Sequence, residues 1–163
     1  MQQNNISVKV KVVGKLLELK EHNPQEFQNM LPTYASIHSS GLDLRVANDE
    51  TIILKPNEVL TVGTGLAIYL ENPNFTAMVF PRSGRGSKGL VLGNLTGIID
   101  PDYQGELKLT LWNRTQEQQI IQPWERVAQY VIVPTYQAQL NFVDDFDTQT
   151  QRGTGGFGST GHN

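Results

Sequence analysis

Apolar residues along this chain fall into short runs separated by turn-forming residues, and many of the runs have the two-residue period of strands. Residues 6–13, Ile-Ser-Val-Lys-Val-Lys-Val-Val, alternate as a half-buried strand does. From Leu42 onward further runs recur at 42–46, 51–54, 59–62, 66–70, 77–80, 90–92, 106–112, 119–121, 126–133 and 139–143, with Pro, Gly and Asn between them. That spacing predicts an all-β barrel or sandwich, of which a jelly roll is one form. No long amphipathic helix competes. The stretch from Leu19 to Pro32 is polar, and Pro24–Met30 within it fits a short helix or a surface loop.

The most informative stretch runs from Gly93 to Asn113. A compact acidic turn, Asp100-Pro101-Asp102, lies between two apolar runs, with Gly97 and Gly105 on either side. Pro and Gly supply turn geometry there, and Leu107, Leu109 and Leu111 mark the inward face of a strand. The pattern predicts a hairpin with Asp100 at its mouth. Such an acidic residue is either a plain turn former or a working carboxylate on a rigid scaffold.

Composition narrows the classes. The 163 residues suit one domain with a substantial core. No run approaches the roughly 20 apolar residues of a membrane span, and the N-terminus lacks a basic-then-apolar signal pattern, so a soluble cytoplasmic protein is expected. There are no cysteines, and the histidines at 22, 38 and 162 have no ligand-like spacing, which disfavours a structural zinc site. The formal charge of −3 argues against a general nucleic-acid binder. It leaves an anionic small molecule open, since a few arginines, backbone N–H groups and a metal suffice to hold phosphates.

After Val143 the pattern stops. Residues 144–147 are acidic and 148–163 are rich in Gly, Ser, Thr and Gln, so residues 1–146 read as the folded domain and 147–163 as a flexible tail. Within the tail the order Arg152-Gly-Thr-Gly-Gly-Phe157-Gly-Ser159-Thr160-Gly supplies N–H, hydroxyl and guanidinium donors for an anion, with one aromatic for a planar group. Three further places look chemical. Asp43 interrupts an apolar strand, either as a site residue or as half of an Asp–Arg pair. Pro81-Arg82-Ser83-Gly84-Arg85-Gly86-Ser87-Lys88-Gly89 has the composition of a phosphate site or of a solvated basic loop. Glu125-Arg126-Val127-Ala128-Gln129 punctuates a strand with polar groups, as ligand contacts or as ladder structure.

Taken in order, Ser40-Gly-Leu-Asp43-Leu-Arg45, Pro81-Arg-Ser-Gly84, Gly97-Ile-Ile-Asp-Pro-Asp-Tyr-Gln-Gly105, Glu125-Arg-Val-Ala-Gln129 and the 152–161 segment resemble the five ordered motifs of the homotrimeric dUTPases, bacterial or phage type. Leu92-Gly93-Asn94 adds to the likeness, which runs from about Leu31 to the end. The resemblance implies a distorted jelly roll, assembled as a trimer with active sites between subunits. It implies hydrolysis of dUTP to dUMP and pyrophosphate with Mg²⁺ held mainly by the triphosphate, limiting uracil in DNA and supplying dUMP for thymidylate synthesis. By the same resemblance Asp100 is the general base that activates water for attack on the α-phosphorus, and Asp43 holds Mg²⁺-bound water. Arg82, Ser83, Gly84, Gln129, Arg152, Ser159 and Thr160 contact phosphates. Asn94, Gly97, Ile98, Ile99 and Tyr103 read uracil and deoxyribose, and Phe157 stacks on the base as the tail closes. The expected partners are dUTP and two further copies of the chain, with no nucleic acid or membrane.

Several positions depart from the family pattern. Arg85 stands where an apolar residue is usual, Trp124 where glycine is usual, and Ser40 where alanine is common. The polar insertion at about 20–31 has no assigned counterpart. Arg85 reads either as an extra phosphate contact or as a surface change. Two other functions stay open at this level: a dCTP deaminase of the same fold, and a dUTP-responsive regulatory binding protein.

Overall fold

The computed structural model describes residues 6–156. Its elements in order are β1 (Lys9–Val12), α1 (Gly14–His22), α2 (Pro24–Met30), β2 (Leu42–Arg45), β3 (Ile52–Leu54), β4 (Val59–Tyr69), β5 (Phe75–Pro81), α3 (Ser83–Gly86), β6 (Leu90–Leu92), β7 (Gly97–Ile99), β8 (Glu106–Asn113), β9 (Gln119–Ile121) and β10 (Arg126–Pro134). The strands form two four-stranded antiparallel sheets, ordered β1-β4-β8-β6 and β2-β10-β5-β7, and a small β3-β9 pair. This is the mostly-β layered architecture the periodicity predicts.

The core lies where alternation puts it. Leu107, Leu109 and Leu111 of β8 are each at most 2% exposed while Lys108 between them faces out. From the other sheet Leu44, Ala77, Val79, Ala128 and Tyr130 join the same cluster. Burying one such leucine stabilises by about 1.5–3 kcal/mol, so this shared layer fixes both sheets.

Four local expectations need correcting. The runs at 59–62 and 66–70 form one strand, β4, whose pairing with β8 shifts register between Gly63 and Ala67. Gly65 has φ +72° there, its N–H donates to Glu106 Oε1 at 2.9 Å, and a Cβ at Gly63 would collide with that carboxylate. The chain before β2 turns helical at Gly14, with α1 unpredicted and α2 taking the helical alternative at Pro24–Met30. Helix α1 escapes the pattern because its apolar stripe is only Leu16, fully buried, and Leu19, packed against the core. Helix α2 starts with Asn23 Oδ1 accepting from Glu26 N–H and Pro24 in the first turn, and it buries Phe27. Residues 139–143 form no strand, since Leu140, Phe142 and Val143 are largely exposed and find no sheet edge.

The fourth correction concerns the acidic turn, which does not close a hairpin. Strand β7 pairs with β5 and β8 pairs with β4 and β6, so residues 100–105 cross from one sheet to the other. The two apolar runs each find their best cover in a different layer. Asp100 therefore sits at a sheet corner.

Candidate active site

The first cluster of candidate residues is set by sheet register. Gln129 of β10 lies opposite Asp43 of β2 on one side and Phe80 of β5 on the other, so directly paired Asp43 and Gln129 share one sheet face. Chain reversal after β5 then adds Arg82, Ser83 and Gly84. Together with Gly41 and Ser39 they line an open groove of about 600 Å³. Gly41 leaves room for the Gln129 side chain, whose terminal carbonyl a Cβ there would displace. The first turn of α3 leaves the Ser83 and Gly84 N–H groups without an acceptor among the described residues, as helix starts do.

Charge is concentrated here. Asp43 forms an ion pair with Arg82, Nε lying 2.8 Å from Oδ1, and accepts from Arg126 Nη1 at 3.1 Å on Oδ2, with its side chain 12% exposed. Arg45 stands nearby, bonded to the Trp124 and Asn29 carbonyls. Burial above all, then the charges of Arg126 and Arg82 against the favourable Asp43, pushes the Arg45 guanidinium below its usual value. Three cations around one carboxylate leave a positive surplus, which suits an anion. Arg85 is not part of it. Its Nη2 donates to the Ile120 carbonyl at 2.6 Å and its Nε lies 3.0 Å from Glu125 Oε1, off the N–H axis. The residue is a tie between α3 and β9, and it does not line the groove.

The second cluster lies around the crossover turn. Tyr103 N–H donates to Asp100 O at 3.1 Å, and the Tyr103 hydroxyl donates to Glu106 O at 3.1 Å. The ring folds so closely over Gly105 that any Cβ there would strike it. Asp100 is exposed between two clefts of about 520 and 280 Å³, the smaller walled by Ile98, Ile99, Tyr103 and Glu106. Ile98 is 67% exposed, an apolar lip on the sheet edge. The Asn94 amide approaches Gly97 across the start of β7.

These clusters do not meet within one chain. Strand β2 is one edge of its sheet and β7 the other, three strand spacings apart, which is roughly 14 Å before any side chain extends. The groove at Asp43 and the clefts at Asp100 share no lining residue. Arg152 lies in an exposed turn with its Nε on Gly155 O at 3.2 Å, outside both clusters. Phe157, Ser159 and Thr160 fall outside the described residues. Sequence reasoning missed Arg126, whose signal was there to read: Val127 and Ala128, two consecutive buried apolar residues, break the alternation of β10.

A dUTPase family model matches residues 28–161. The chain belongs to the dUTPase family. Among bacterial dUTPases it is 56% identical over 135 residues to the deoxyuridine 5'-triphosphate nucleotidohydrolase of Burkholderia multivorans, covering 82% of this chain and 90% of that protein. To the Neisseria gonorrhoeae protein of the same description it is 51% identical over 158 residues, covering 96% and 98%. In fold it is similar to the dUTPase of Staphylococcus bacteriophage 80alpha, solved with dUpNHpp, at TM-score 0.76 and 26% identity over 96% of this chain and 99% of that one. None of the described helices is long and apolar enough to cross a membrane.

Proposed function

We propose that this member of the dUTPase family hydrolyses dUTP to dUMP and pyrophosphate at a site completed by a second copy of the chain. The groove of one copy holds the triphosphate, and the crossover turn of another supplies Asp100, the uracil reader and the sugar filter. The observation that carries this reading is the separation of two chemically complementary clusters on opposite edges of one sheet. Each lacks what the other has. A homotrimer, three such pairings closed by symmetry, is the assembly the family resemblance implies.

Chemically, the groove binds phosphate oxygens through the Arg82 guanidinium, the Ser83 and Gly84 N–H groups and the Gln129 amide. The exposed Asp100 carboxylate accepts a proton from the attacking water as its oxygen bonds to the α-phosphorus, the α-phosphorus–oxygen bridge breaks and pyrophosphate leaves. Tyr103, fixed by its bond to Glu106 O, packs on the deoxyribose and excludes a 2′-hydroxyl. Asn94 and the backbone of Gly97, Ile98 and Ile99 pair the uracil edge, so that a wrong base leaves buried polar groups unmatched. The tail from 147 onward closes over bound nucleotide, with Arg152, Ser159 and Thr160 on phosphates and Phe157 on the base.

Mg²⁺ fits this donor set. Asp43 is the single carboxylate lining the groove, and each of its oxygens keeps a lone pair beyond its one guanidinium. That suits a hydrated ion carried by substrate phosphates, with Asp43 bonded to a water of its shell. Bound there, the ion would offset charge growing on the phosphates.

Complementation tests the shared site. Asp100→Asn and Arg82→Ala, each inactive alone, should regain dUTP hydrolysis when refolded together, because some mixed sites receive both wild-type residues. A mixture as inactive as its components would refute a site shared between copies. Pyrophosphate release measured against dUTP, dTTP, dCTP and UTP should be confined to dUTP, and ammonia release from dCTP would instead establish the deaminase reading.

A further inference from the structure

Arg126 lies in the Glu125–Gln129 motif and on Asp43, yet no phosphate, sugar or base contact is assigned to it. Its place is explained by an irregularity of β10. Pairing with β2 runs Tyr130 to Leu42, Gln129 to Asp43 and Ala128 to Leu44, then jumps to Arg126 opposite Arg45. Val127 is the extra residue of a β-bulge. In a regular strand the residue two before Gln129 would share its face, which would put Val127 on the groove side and turn Arg126 away. The bulge instead buries Val127 at 2% exposure and carries Arg126 round to the groove side, where its Nη1 reaches Asp43 Oδ2. The same bulge touches the other arginine directly, since the Val127 carbonyl accepts the Arg82 N–H at 3.1 Å.

Asp43 thus has two guanidinium partners with different prospects. Arg82 lines the groove, whereas Arg126 does not. With Arg126 absent, the carboxylate would draw Arg82 into a two-pronged pair, the geometry that arginine and carboxylate favour. A second prong spent on Asp43 is unavailable to a phosphate.

We propose that Arg126 is a positioning residue: delivered by the Val127 bulge, it engages one oxygen of Asp43 so that Arg82 binds the other through Nε alone and keeps its Nη groups for the triphosphate. The inference rests on the phosphate-groove reading above, and its test separates the two. Binding of dUpNHpp to the full-length protein is measured by calorimetry, with and without Mg²⁺, for wild type, Arg126→Gln, Arg126→Lys, Asp43→Asn and the Asp43→Asn/Arg126→Gln double variant.

Arg126→Gln should bind at least fivefold more weakly, with KM for dUTP rising by a similar factor and kcat changing less than twofold. Arg126→Lys, which restores a cation beside Asp43, should recover most of the affinity. In the Asp43→Asn background the Arg126→Gln change should have no further effect, because the carboxylate it acts through is gone. Equal affinity for Arg126→Gln and wild type overturns the proposal. So does an undiminished loss in the Asp43→Asn background, which would make Arg126 a direct phosphate contact. Wild type that binds no dUpNHpp overturns the groove reading itself. Arg126 sits at a strand start with its side chain 45% exposed, and the Lys variant retains the charge, so folding of at least one variant keeps the comparison measurable.

Discussion

The two edges of the β2-β10-β5-β7 sheet are built on opposite principles. At the β2 edge the functional groups are tied down: Asp43 is gripped from two sides, Arg45 spans two carbonyls, and Gly41 lets Gln129 lie flat against the strand. At the β7 edge the key carboxylate stands in the open just past a three-residue strand, its flanking backbone held by Thr76 on Ile99 O, by Leu70 N–H on Pro101 O and by the anchored Tyr103. The difference follows from the tasks. A groove for a polyanion must hold like charges together before the ligand arrives, so it needs an internal counter-charge. A general base, the role proposed for Asp100, needs solvent on one side, and under that proposal a second copy would complete its surroundings.

The comparison can be broken in several places. Asp100→Asn should lower kcat by about 10²–10⁴-fold while leaving the thermal midpoint essentially unchanged, because the side chain supports nothing in its own chain. A large fall in the midpoint would mean that the open edge is structural after all. Trp124→Gly, beside the tied edge, should cost roughly 2 kcal/mol in a denaturant titration. Loss of the buried ring (8% exposed) costs about 3–5 kcal/mol, partly offset by relief of a left-handed backbone at φ +56° worth about 1–3.

Asp43→Ala should affect both properties. It leaves Arg82 and Arg126 facing each other without their counter-ion, costing about 1 kcal/mol of stability for a pair of partly exposed arginines, and it raises KM for dUTP. The smallest effect concerns pH. Burial pushes the Tyr130 phenol, beneath the groove, up to about 12, with a minor contribution from Tyr34. A raised folded-state pKa stabilises fully below the unfolded value near 10 and is lost as pH climbs toward 12. Wild type should therefore lose about 1 kcal/mol more than Tyr130→Phe between pH 9 and pH 11 in parallel denaturant titrations.

The chain announces the tied edge more clearly than the open one. Alternation at Leu107, Leu109 and Leu111, and at Leu42 and Leu44, was readable because burial on one sheet face imposes a period of two on the residues themselves. Asp43, Arg82 and Gln129 could be grouped from their ordered motifs, and sheet register then put them side by side. What escaped was decided by distant partners. Whether residues 97–99 pair with 106–113 or with β5 depends on which layer offers an open edge, so a turn that looks like a hairpin became a crossover. Helix α1 was hidden because one short stripe of two leucines carries too little periodicity, and its burial depends on β4, where Leu16 packs against Gly65. Arg85 was ambiguous for the same reason, as Ile120 and Glu125 lie far along the chain.

Trp124 has a consequence for how such a protein can change over time. Its carbonyl holds Arg45, Arg45 in turn holds the end of α2 through the Asn29 carbonyl, and its ring fills the core from a backbone shape that favours glycine. A change to glycine would empty the core site, and a change to another bulky residue would keep the strain without the fit. Neither step improves on the present arrangement unless the surrounding packing shifts as well. The position trades backbone strain for packing, so an awkward residue is hard to replace while its neighbours keep their present places.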